Sequence, residues 1–168
     1  MTTQSAVPLA IRRKMTMVFQ NPLLFDFSVL DNVAYGLKLR GEHMAKERAR
    51  DLLAQLGLSN VEKNHPSTLS YGEVQRVAVA RSLILEPEVL FLDEPTANLD
   101  PYNVELVEKL VTQTNIDLNT TVIIVTHNVD QARRLAHRTV LLLDGKIVEV
   151  GRGHKFFSCP SDPRSQAF

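Results

Sequence analysis

The feature that most restricts the fold is the run Val89, Leu90, Phe91 and Leu92, followed at once by Asp93, Glu94 and Pro95. Four consecutive apolar residues read as a strand buried on both faces, because a half-buried strand would alternate. Pro95 removes a backbone donor and ends the ladder. In an open parallel sheet, ligands sit outside the carboxyl ends of strands, so a carboxylate pair there is placed for chemistry. Taken alone, the same pair is equally an acidic turn after a hydrophobic strand.

The rest of the chain decides between these readings. Met15 to Phe19 is a second short apolar run, ended by Gln20, Asn21 and Pro22. From Ser28 the period switches: Val29, Val33 and Leu37 fall at i, i+4 and i+8, Ser28 and Asp31 suggest a cap, and the helix stops near Gly41. Ala49, Leu52, Leu53 and Leu56 mark another helix, with Gly57 as its stop. Leu69 to Glu73, LSYGE, opens a third, where Ser70 and Glu73 match a capping box. A capping box needs no function, yet the free amides near Gly72 and the helix dipole also suit a phosphate. Pro101 begins a helix with Val104, Val107, Leu110 and Val111 on its buried side.

Thr121 to Thr126 is another apolar, β-branched strand, and His127 follows it directly. If this strand lies beside residues 88–92, the histidine and the two acids share one edge. Residues 129–136 read as a helix and 139–143 as a strand, with Asp144 and Gly145 turning into a strand at 147–150. Alternating strands and helices predict an α/β fold whose sheet is mostly parallel, with an antiparallel edge at its end.

Lys plus Arg and Asp plus Glu both number 19, so no net field draws the chain to nucleic acid or anionic lipid. The single cysteine, Cys159, cannot form an internal disulfide, which suits a reducing cytoplasm. No apolar run approaches the roughly 18 to 20 residues of a membrane span, and MTTQSAVPLAIRRK carries no secretory pattern. A membrane role would require another subunit.

Gln20 after a strand, LSYGE before a helix, VLFLDE, ANLD, and a strand ending in His127 stand in an order that resembles the ATP-binding subunit of ABC transporters. The likeness covers residues 14 to about 150. It implies an α/β fold with a mostly parallel sheet of the P-loop NTPase type, an inserted helical subdomain and a C-terminal antiparallel hairpin. The helical subdomain with the signature would occupy about 23–85, the sheet core 14–22 and 86–150, and a tail 151–168. By the same resemblance Gln20 is the Q-loop glutamine that touches Mg2+ or the attacking water. Ser70, Tyr71 and Gly72 are the signature that holds the phosphate of a nucleotide on the opposite subunit. Asp93 belongs to the Mg2+ shell, Glu94 is the general base, Asp100 the D-loop aspartate and His127 the switch histidine.

The signature departs from the family's LSGGQ at Tyr71 and Glu73. No G-x-x-x-x-G-K-[ST] occurs in the 168 residues, so the resemblance is to a family member without its phosphate-cradling loop, truncated at the N-terminus and inactive alone. ATP and Mg2+ are the implied cofactors. A transmembrane permease and a second ATP-binding subunit, alike or different, are the implied partners, with no nucleic acid, at the cytoplasmic face of the cell membrane. The function implied is powering solute import, an oxyanion being the expected cargo. A catalytically inactive partner-binding module is the alternative. A DNA-repair ATPase of the same family is disfavoured, since the 50 positions from Gln20 to Ser70 hold no sustained heptads.

Overall fold

The computed structural model describes residues 7–167. The elements in order are α1 (Leu9–Arg12), β1 (Met15–Val18), α2 (Val29–Leu39), α3 (Ala45–Gln55), α4 (Tyr71–Leu83), β2 (Val89–Asp93), α5 (Pro101–Leu118), β3 (Thr121–Val125), α6 (Val129–Leu135), β4 (Arg138–Leu143), β5 (Lys146–Arg152) and α7 (Gly153–Ser158). The chain divides into two compact units, the first ending at Val125 and the second starting at Thr126.

The first unit is built on a three-stranded parallel sheet in the order β1-β2-β3. Val18 lies opposite Leu92, and Asp93 opposite Val125, so the carboxyl ends of the strands stand together. The start of the ladder is pinned by Thr120, fully buried, whose hydroxyl donates to the Pro87 carbonyl at 2.7 Å.

Val18, Leu90 and Leu92 from the sheet join α2, α3, α4 and α5 in one apolar cluster that includes Val33, Leu53, Val77, Leu83 and Val107. Burial on both faces of β2, expected from its unbroken apolar run, is not found. Leu90 and Leu92 are buried, whereas Val89, Phe91 and Asp93 are only partly covered. The flanking strands repeat this division, with Met17 46% and Ile123 43% exposed. The reason is that a helix layer packs on one side only among the described residues.

Of the helices between β1 and β2, α2 and α4 carry side-chain caps. Ser28 accepts from the Asp31 amide at 3.1 Å and starts α2. Asn32, fully buried, holds the preceding loop by accepting from Phe25 N–H at 2.8 Å and donating to the Phe25 and Phe27 carbonyls. Arg81 on α4 donates to the Leu23 carbonyl at 2.9 Å and lies over the Phe25 ring.

In the second unit β4 and β5 pair antiparallel, with a register shift at Leu141/Leu142. They form a two-stranded sheet of their own rather than the edge of the parallel sheet. Gly151 is required here, because a Cβ would come within 2.9 Å of the Phe156 side chain.

Candidate functional site at the carboxyl edge of the sheet

Gln20 stands two residues beyond the end of β1 and is exposed. Asp93 ends β2 and is partly covered. Glu94 then adopts the left-handed region at φ 46 while its N–H donates to the Val125 carbonyl at 2.9 Å. Left-handed backbone at a non-glycine residue costs on the order of 1 kcal/mol or more and persists where the surroundings enforce it. The hydrogen bond to β3 is the last of the ladder, and the left-handed turn at Glu94 carries the chain away from the strand. The buried Pro95 follows, and Ala97 N–H returns to the Glu94 carbonyl at 3.2 Å. Asp100 closes the loop as the cap of α5, accepting from Asn103 N–H at 3.1 Å. The Asn103 amide and side chain favour the ionised form and hold the Asp100 carboxyl below its ordinary pKa.

Ser70 caps α4 through a complete capping box. Its hydroxyl accepts from Glu73 N–H at 3.3 Å and donates to the Glu73 carboxylate at 2.9 Å, while Ser70 N–H reaches the same carboxylate at 2.8 Å. Gly72 faces Leu99, and a Cβ there would stand 3.2 Å from the Leu99 side chain. The signature therefore packs directly against the loop that runs from Glu94 to Asp100. On the other side, Tyr71 Oη donates to the Gln20 carbonyl at 2.8 Å. Gln20, Ser70 to Gly72, Asp93, Glu94 and Asp100 are thus gathered at one end of the first unit.

β2 pairs in parallel with β3. His127 itself falls in the second unit, exposed in the turn before α6. Sequence reasoning missed Arg76. It is 7% exposed on α4, and its Nε and Nη1 are buried without a hydrogen-bond partner. Its guanidinium lies 3.9 Å from where a Gly72 Cβ would stand, and burial pulls its pKa down against the charges of Glu73 and Asp100. The signal was present: Arg76 follows Gln75 at the head of the apolar run Val77 to Ala80.

The donor set is hard. Asp93, Glu94 and the Gln20 amide supply oxygens only, and no cluster of three or more His, Cys, Asp or Glu suited to a metal occurs among the described residues. Oxygen donors of this kind suit a hard cation such as Mg2+ rather than a soft one.

The ABC transporter family profile matches residues 3–97, more than half of the chain. The chain belongs to the ABC transporter family. As a member, it carries Gln20, Ser70, Tyr71, Gly72, Asp93 and Glu94 inside the matched region, with Asp100 and His127 beyond it. It is 41% identical, over 95% of its length, to the phosphate import ATP-binding protein PstB 2 of Natronomonas pharaonis, of which it covers 60%. It is 42% identical, over 83% of its length, to the tungstate uptake system ATP-binding protein TupC of Peptoclostridium acidaminophilum, of which it covers 66%. This ABC chain thus spans somewhat under two thirds of the length of these curated relatives. Among solved structures, it superposes on a dimeric ATP-binding cassette in a post-hydrolysis state bound to ADP and Pi. The TM-score is 0.76 at 32% identity, over 84% of this chain and 64% of that one. No helix among the described residues is long and apolar enough to cross a membrane.

Proposed function

We propose that the chain is an ATP-binding subunit that powers import of an oxyanion, working against a second ATP-binding subunit beneath a transmembrane permease at the cytoplasmic face of the membrane. The observation that carries this reading is the gathering of Gln20, the capped signature helix and the Asp93–Glu94 pair at one sheet edge. Relatives that are phosphate and tungstate import proteins support the class of cargo. In this reading residues 1–168 form part of one nucleotide-binding domain, with about 23–85 as its helical subdomain, 14–22 and 86–150 as sheet core and 151–168 as tail.

Asp93 and Gln20 would hold Mg2+, which would supply charge neutralisation to the phosphate groups. Glu94 takes the proton of the attacking water. Its left-handed backbone ends the β2 alternation at Glu94. His127 contacts the terminal phosphate. Ser70, Tyr71, Gly72 and Asp100 face the nucleotide of the opposite subunit, where the α4 amides and dipole favour an anion. The 168 residues contain no phosphate-cradling G-x-x-x-x-G-K-[ST], so what they themselves would bring to a partner's ATP site is the signature at Ser70 to Gly72.

The test pairs this chain with an ATP-binding subunit that has a P-loop but an inactivated signature serine. All Mg-ATP turnover then depends on Ser70. The proposal expects turnover that Ser70→Arg abolishes. Stable association without turnover would instead establish an inactive partner-binding module, and no association would overturn both.

A further inference from the structure

The two loops assigned to different nucleotides are tied together inside one chain. Tyr71 Oη donates to the backbone carbonyl of Gln20 at 2.8 Å, across 51 positions of sequence, with the Asn21 side-chain oxygen at 3.4 Å as a longer second acceptor. Ten residues further along α4, Arg81 donates to the Leu23 carbonyl at 2.9 Å. The same helix therefore grips the segment after β1 at both ends. The Arg81 grip is reinforced by its position 5.2 Å from the Phe25 ring centroid, whereas the Tyr71 grip is a single phenol hydroxyl.

We propose that Tyr71 is a positioning residue, a latch that fixes the Gln20 loop to the head of α4 so that the Gln20 loop and Ser70 keep one relative orientation. Its functional half rests on the roles assigned above to Gln20 and Ser70. The physical half does not. A ring at Tyr71 spans the gap by contact, but only the hydroxyl binds the carbonyl. Removing the hydroxyl alone frees the loop at Gln20 while Arg81 still holds it at Leu23.

Tyr71→Phe in the full chain tests this by NMR. The Gln20 carbonyl resonance should shift, and the order parameters of the Gln20 and Asn21 amides should fall from about 0.85 toward 0.6, with α4 and the amide of Leu24 unchanged. Unaltered resonance and order at Gln20 and Asn21 would overturn the latch. In the paired dimer, Tyr71→Phe should lower kcat for Mg-ATP about fivefold, the size of one net hydrogen bond, with KM unchanged. A rise in KM that accounts for the loss in kcat/KM would show a general structural role and refute positioning. A wild-type dimer without turnover would count against the function proposed above, and the resonance data would then decide the latch.

Discussion

The two faces of the parallel sheet in the first unit differ in how far they are covered. On one, Val18, Leu90 and Leu92 are at most 2% exposed, sealed under the helices. On the other, Met17, Ile123 and Val125 are 46%, 43% and 60% exposed. Strand alternation puts Asp93 in phase with Val89 and Phe91, on the open side. An ionised carboxylate on the sealed side would be heavily penalised by desolvation. The comparison teaches why the strand can end in an acid: the packed face supplies the rigidity, and the open face leaves the carboxylate only partly covered.

Truncating the sealed face should have the largest effect. Leu90→Ala, at a fully buried site, should destabilise the first unit by about 3 kcal/mol, read as a lower urea midpoint. Ile123→Ala on the open face should cost about 1 kcal/mol, because nearly half of its surface is already in water. Equal losses would break the comparison and mean that the open face is packed in solution. Next in size, Ser70→Ala should cost about 1 kcal/mol through the lost cap, measured in the same denaturation experiment.

The smallest effect concerns charge on the helical layer. Lys38 first, then Ser28, lower the Asp31 pKa from 3.8 to about 2. A depressed carboxyl contributes stability that is present above 3.8 and lost as pH falls through the folded-state value near 2. Asp31→Asn should therefore flatten the decline in stability between those pH values, by a small amount because Lys38 and Asp31 are solvent-accessible. An unchanged acid limb would show that the pair does not form in solution.

Much of this was legible in the sequence because it is local. Ser70 and Glu73 stand three residues apart, and their capping box forms as the spacing predicts. The turn at Asp93 and Glu94 likewise follows from Pro95 and the end of an apolar run. Half-burial of β2 was not legible, since whether Phe91 is covered depends on elements remote from Phe91. The separate sheet of β4 and β5 is a question of non-local pairing, to which their alternating pattern is indifferent. Tyr71 was visible as a departure within a motif, but its partner, the Gln20 carbonyl, carries no side-chain signature at all.

The central proposal is that Glu94 acts as a base, Asp93 as a metal ligand and Ser70 to Gly72 as a signature surface, while the 168 residues hold no G-x-x-x-x-G-K-[ST] cradle. Mg-ATP turnover by the pure 168-residue chain tests it most directly. The account predicts no turnover above background, alike for the wild type and for Glu94→Gln. Turnover that Glu94→Gln abolishes would contradict it, because the chain would then be loading and hydrolysing ATP with its own residues.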